Sequence, residues 1–586
     1  MVQIDQLTLK NYRSVKQETF QLNPLTILIG RNNAGKSNIL RALKLLIEGS
    51  ARDVSQNDFF DISAPVEIEA TVSGIEQILP SLSLVNQTKL GERLTPDNKL
   101  NIRKVATLGA QGVQPGKIQV QQPNTGEYDT PTGIDAVLKA VLPEVIHIDV
   151  LDDPVEEAAG KTTKPMGKLI GLILDAVQQH AGEGLRQAYT QANRLLNVVT
   201  EEVEGVTREV DERIPELRSI ESKLTEYTSE GFRDTRVRLK VDFPEAKELL
   251  ATVSVLVREG GVETGLSFKG HGLQRVFYLS LLRALADQIR SSATATVRPF
   301  LLLFEEPELF LHPYAQQLMT AALKTIATQG QVVITTHSPL LVVPDSFSEL
   351  CIISKETDGA SGKTVTRCLS TGKRLPIAGE RELLTLLNLQ RSCTFLFSDR
   401  VLLVEGAGDQ HLVTAMLVKL TGKHPSECGL GVVEVEGKDR LPTYKALLES
   451  IGLRVFGLVD LDFLWGGGGA GSVLKGSSDH SQFCEALQRE AEPELEKITD
   501  EEAKRERRKE VFTRLATSKY AGQRDILCAQ LKDRGYLVLR EGEIEVYVGL
   551  GKNAKRLYLP AAREILGGTR EVSFLDEIKQ IIETVM

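Results

Sequence analysis

The chain has 586 residues, 41% hydrophobic and 25% charged, an ordinary globular composition that excludes a fibrous repeat or a wholly disordered polymer. Such a length predicts about three to five domains rather than one core. With 70 basic against 79 acidic residues the net charge is -9, so any grip on nucleic acid must come from local basic patches or bridging metal ions, not from a global positive field.

Leu25 to Ile29 is a short apolar run ending at Gly30, and beyond Ser37 the apolar residues Ile39, Leu40, Leu43, Leu46 and Ile47 share one helical face. The segment reads strand, glycine loop, helix. Between them, Gly30-Arg31-Asn32-Asn33-Ala34-Gly35-Lys36-Ser37 fits GxxxxGK[ST] in the context a P-loop requires. Backbone N–H groups around Gly30, Asn33 and Gly35 are expected to wrap phosphates at the helix start. Lys36 is placed to reach the β and γ phosphates, and Ser37 to ligate magnesium.

Short apolar stretches at Val66–Val72 and from about residue 118 to 150 predict strands and turns. Val199, Val203, Val206, Val210, Ile214, Leu217, Ile220 and Leu224 then recur every three or four residues, the stripe of a long amphipathic helix or helical hairpin that Pro215 kinks or ends. It either packs on its own domain or forms a dimerisation arm. Ser267 to Arg275 is a glycine turn into an apolar helix. There Gly270 and Gly272 either approach a phosphate or form an ordinary helix entry.

Leu301 to Phe304 is a buried-type strand ending in Glu305 and Glu306, which predicts Glu305 as a metal ligand and Glu306 as the general base toward water. His337, after the strand Val332–Thr336, is placed to sense a γ-phosphate. Residues 355–381 show weak periodicity, and the main domain boundary is expected near residue 390.

Strands at Val401–Val404, Val432–Val435 and Val455–Val459 alternate with helix-compatible sequence, a second and smaller α/β unit. Trp465 to Gly471 and Pro493 to Glu510 look like a flexible insertion into it, and the basic run Lys504 to Lys509 like a solvated helix face or a phosphate contact. Glu405 ends one strand with Asp409 four residues on, and Asp460 and Asp462 end another. Strand ends of a parallel sheet converge on one edge. Four carboxylates there would repel one another unless a hard divalent cation lies between them. Six scattered cysteines without a CxxC pair argue against a zinc or disulfide framework and for a reducing, cytoplasmic setting. Asp5 and Lys10 stand where a signal peptide would be apolar, and no window reaches the roughly 18 apolar residues of a membrane span.

The order P-loop, long insertion, GHGLQ turn, Glu305-Glu306 and His337 resembles the ABC-type ATPase heads of the SMC and RecF group over residues 1–350. It departs from them in having Glu305 for the metal-binding aspartate and no LSGG signature. The two strand-end acid motifs resemble a Toprim domain, which implies Glu405 handling the proton, Asp460, Asp462 and Asp409 as metal ligands, and Glu545 and Lys552 as a further acid and a charge-neutralising lysine.

One such head followed by one Toprim domain resembles the OLD (overcoming lysogenization defect) nuclease family. The expected division is 1–154 and 236–390 for the head, 155–235 for a helical insertion acting as dimerisation arm, and 391–586 for the Toprim domain. What the resemblance implies is an ATP-binding and hydrolysing DNA endonuclease or nickase in phage defence or DNA processing. Its cofactors would be ATP and magnesium or manganese, two ions at the Toprim site and one with the nucleotide. It would act as a homodimer or tetramer, alone or with a helicase-like protein partner, with ATP either licensing or restraining cleavage. The competing reading is an ATP-gated DNA clamp without nuclease activity. Intact Glu405, Asp409, Asp460 and Asp462 argue against it.

Overall fold

The computed structural model describes residues 2–49, 53–109, 112–149, 187, 190–203, 206–231, 236–240, 256–277, 279–280, 283, 299–342, 349–359, 361–370, 385, 393–465, 469–551 and 555–586. Contacts divide the chain into two compact units, one of residues 1–3, 73–99 and 131–333, the other of residues 4–72, 100–130 and 334–586. The expected boundary near residue 390 lies outside the described residues. Among the described residues no helix is long and apolar enough to cross a membrane.

In the first unit, strands Glu144–Ile148 and Phe300–Glu305 pair in parallel, from Glu144 opposite Phe300 to Ile148 opposite Phe304. Phe300–Glu305 is buried along its whole length, as a strand covered on both faces requires. The valine stripe after residue 198 is not one helix. Val199–Val203 and Val206–Val210 form an antiparallel hairpin, and the helix begins only at Pro215 and runs to Gly231. Val and Thr are stiff at χ1 and favour extended backbone, so they form strands where the spacing alone suggested a helix. Pro215 starts a helix instead of kinking one, because its missing N–H costs nothing in a first turn. Residues 155–186 of the expected arm lie outside the described residues.

The second unit contains an antiparallel sheet in the order Val15–Gln21, Gln3–Tyr12, Val66–Ser73, Leu100–Gly109, Gln119–Gln121, Tyr128–Asp129. Its strand Val66–Ser73 alternates buried and half-buried residues, as one covered face demands. Elsewhere in this unit Leu25–Ile29, buried at all five positions, pairs in parallel with Leu350–Thr357, which turns back antiparallel into Thr364–Ser370. Most of that hairpin falls in the segment of weak periodicity at 355–381. Its turn is closed by Asp358, which accepts from Ser361 and Lys16.

The last sheet is parallel, in the order Leu430–Glu434, Arg400–Val404, Arg454–Val459, Tyr536–Val538. Helices Ala407–Thr421 and Tyr558–Leu566 contribute Leu412, Met416, Tyr558 and Ile565 to its core. The charged stretch Pro493 to Glu510, expected to be flexible, spans the end of helix Ser478–Leu495, which holds Pro493, and the first part of helix Glu501–Thr517, and helix Ala521–Asp533 follows. High charge hid a sparse inward stripe. Phe483, Leu487, Ala491, Val511 and Phe512 are buried, and Trp465 meets Phe512 edge to face at 5.7 Å.

Candidate active site: a phosphate loop and a carboxylate cluster

The P-loop is shaped by backbone that only small residues tolerate. Gly30 has φ 145° and a Cβ there would stand 2.1 Å from the Ile353 carbonyl oxygen. Gly35 has φ 110° and its Cβ would stand 2.5 Å from Thr366 Oγ1, while Asn33 takes φ 61°. Thr366 Oγ1 donates to the Ala34 carbonyl at 2.9 Å and lies 2.7 Å from Ser14 Oγ, which accepts from Asn38 Nδ2 at 3.0 Å. This network ties the loop to the hairpin at 364–370.

Lys36, the first residue of helix Lys36–Ile47, is buried and folds back over the loop. Its ammonium donates to the carbonyls of Gly30 (2.9 Å) and Arg31 (3.0 Å) and lies 2.8 Å from His337 Nε2. Burial first, and the Lys36 charge second, push the imidazole of His337 down to about 4, so it is neutral and its Nε2 accepts the lysine proton. Ser37 follows in the same first turn. A cavity of about 940 Å³ opens beside Gly30, Asn32 and His337, large enough for a nucleotide.

In the other unit Gly270 and Gly272 flank the start of a helix over 271–277. The Gly270 carbonyl accepts from Leu273 and Gln274, and Gln274 Nε2 caps the carbonyls of Leu266 and Lys269. Gly272 has a packing reason to be glycine, because its Cβ would stand 2.9 Å from the Phe310 carbonyl oxygen. Glu305 ends its strand buried, and Glu306 takes the left-handed φ of 43°. His147 and Asp149, which sequence reasoning passed over, stand with Glu305 so that one donor atom of each lies within 4.8 Å of the others.

At the carboxyl ends of the parallel strands in the second unit, Glu405, Asp409, Asp460 and Asp462 come together as expected. Glu405 follows strand Arg400–Val404. Asp409, in the first turn of Ala407–Thr421, accepts from the Gly406 N–H at 2.9 Å. Asp460 follows Arg454–Val459, donates its N–H to the Glu405 carboxylate and accepts from the Ile544 N–H at 3.0 Å.

Asp462 differs in having cations, Lys438 at 2.5 Å and Lys509 at 2.9 Å. Lys509 also pairs with Glu543. Glu545 is buried and accepts from the Tyr558 hydroxyl, whose ring stands where a Cβ on Gly408 would be. Lys552 lies outside the described residues.

Burial, then the charge of Asp462 and then that of Asp409, raise Glu405 to about 7 against the pull of Lys438. Burial first, and then the charges of Glu405, Asp409 and Asp462, hold Asp460 well above the carboxylate range. Asp462 is also pushed up by burial, but Lys438 and Lys509 outweigh it and leave it below the usual range. Glu405 Oε1 is buried and makes no hydrogen bond. An all-oxygen donor set with mutual repulsion and an unbonded buried oxygen fits a hard divalent cation.

The sequence reading missed Lys438, Lys509, Glu543 and Tyr558. Lys438 could have been found, since it lies just beyond the third parallel strand, Leu430–Glu434, at the same sheet edge. Lys509 could not, because it sits in a charged helix with no mark separating it from Arg507, which pairs outward with Glu494 and Glu510.

Residues 3–95 and 161–342 match the AAA ATPase domain family, and residues 396–462 match the TOPRIM domain of Overcoming lysogenization defect protein-like proteins. The Old nuclease of Escherichia phage P2 is 27% identical over 572 residues, 94% of each chain. The OLD nuclease of Thermus scotoductus is 24% identical over 74% of this chain and 77% of its own. Endonuclease GajA of Bacillus cereus is 22% identical over 94% of this chain and 90% of its own.

Proposed function

We propose that this chain, an ATPase–Toprim protein of the OLD type, is a divalent-metal-dependent DNA nuclease that binds and hydrolyses ATP at its P-loop. The observation that carries the reading is the carboxylate cluster at 405, 409, 460 and 462, in which the buried Glu405 Oε1 makes no hydrogen bond. Its relatives named as nucleases over nearly the whole chain support it.

Asp409, Asp460 and Asp462 would hold magnesium or manganese, with Glu545 beside them. Bound there, such ions supply Lewis acidity for activating water and for the charge on a phosphodiester. Glu405 carries the proton, because its buried Oε1 has no donor on it and burial beside Asp462 and Asp409 raises it to about 7. Lys438 and Lys509 keep Asp462 ionised and fix its orientation. Tyr558 holds Glu545. At the P-loop Lys36 exchanges two carbonyls and His337 for the phosphates of ATP, and Ser37 serves the nucleotide's metal ion. Defence against phage is the setting the family resemblance implies, with a homodimer or tetramer as the working form.

The test is cleavage of supercoiled plasmid with magnesium or manganese, with and without ATP, beside Glu405→Gln and Lys36→Ala. Nicked or linear product is expected from the wild type and none from Glu405→Gln, while Lys36→Ala reports whether ATP licenses or restrains cutting. Intact plasmid in every lane, with ATP hydrolysis retained, would favour the DNA clamp.

A further inference from the structure

We propose that His147, Asp149 and Glu305 form a binding site for a divalent transition-metal ion of the manganese class. Strand geometry assembles the three. The parallel register sets Leu303 opposite His147 and Phe304 opposite Ile148, so Asp149 and Glu305 stand at the two neighbouring strand ends, with one donor atom of each and of His147 within 4.8 Å of the others. Glu305 is buried, and the His147 side chain is only 8% exposed.

Two observations point to a ligand rather than to a simple polar contact. His147 Nε2 is buried and makes no hydrogen bond. It is aimed at Glu305 Oε1 from 3.5 Å. A charge-assisted N–H···O bond closes to about 2.7–2.9 Å. Two ligands on a shared ion with arms of about 2.1 Å stand roughly 3.0–3.4 Å apart, so the pair needs to close only slightly from 3.5 Å to share an ion. One imidazole with two carboxylates suits manganese and its first-row neighbours, whereas magnesium prefers oxygen alone. The site therefore disfavours magnesium, which the all-oxygen cluster around Glu405 accepts. The inference needs neither nucleotide nor the nuclease reading.

The experiment adds manganese chloride to the nucleotide-free full chain carrying Asp460→Asn, which disables the other cluster, and records electron spin-echo modulation. Nitrogen-14 coupling from one imidazole is expected. His147→Gln in that background should abolish the coupling and weaken manganese binding by about tenfold or more. Asp149→Asn should weaken binding while keeping the coupling. No nitrogen coupling in the Asp460→Asn chain overturns the proposal without requiring any further variant to fold. Coupling that survives in folded His147→Gln overturns it as well. Neither result touches the plasmid assay, whose failure would in turn leave this site standing.

Discussion

The two sites of the second unit handle charge in opposite ways. The P-loop is built from backbone. Its one buried cation is held by two carbonyls of its own loop and by a histidine kept neutral, and its shape comes from Gly30 and Gly35 against Ile353 and Thr366. The carboxylate cluster is built from side chains of like sign, whose repulsion and burial raise the proton affinity of Glu405 and Asp460, while Lys438 and Lys509 pair with Asp462 and hold it ionised. A site for an anion is therefore made from dipoles already in the chain and is satisfied locally. A site for a cation is made from charges that are satisfied only by the cation or by lysines brought from elsewhere.

The widest separation between the sites should come from activity. Glu405→Gln or Asp460→Asn is expected to lower plasmid cleavage by about a thousandfold or more, since each removes a proton carrier or an ion ligand. Lys36→Ala should weaken ATP by about 10- to 100-fold, as loss of charged hydrogen bonds does, and leave divalent-ion binding at the cluster unchanged in calorimetry. Coupled loss of both in either variant would break the comparison.

Stability should separate them next. Gly30→Ala forces a Cβ against a backbone oxygen and should cost about 1–3 kcal/mol in denaturant unfolding, whatever the divalent ion. Asp460→Asn should do the reverse in chelator and raise the melting temperature by removing repulsion worth about 1 kcal/mol. Added magnesium should then stabilise the wild type and not the variant. A wild type indifferent to magnesium would show that the lysines already satisfy the cluster.

The smallest effect is acid sensitivity. His337 has a folded value of about 4 against an ordinary 6.5, so the folded chain binds fewer protons than the unfolded one between those values. Its contribution is whole above pH 6.5 and is lost as the pH falls toward 4. The imidazole is half-buried, so the slope is shallow. His337→Gln should flatten that limb of the stability curve and leave stability at pH 8 nearly unchanged.

Much of the cluster was legible because parallel strands end on one edge, so an acid after Val404 and acids after Val459 had to meet. What was misread has one cause in each case. The valines from 199 to 210 have a spacing that serves a hairpin as well as a helix, and the β-branched side chains decided. The charged stretch around 493–510 masked its few inward residues, and Lys509 gave no sign of turning toward Asp462.

The sequence by itself determined the P-loop, because eight consecutive residues carry its backbone conformations and its lysine. It also determined which acids stand at strand ends. Tertiary structure alone decided how those acids are balanced. Lys438, Lys509 and Tyr558 are 24, 47 and 96 residues from Asp462, and His147 is 158 from Glu305. Electrostatic energy depends on separation in space and on burial, and neither is recorded in the spacing of residues along a chain.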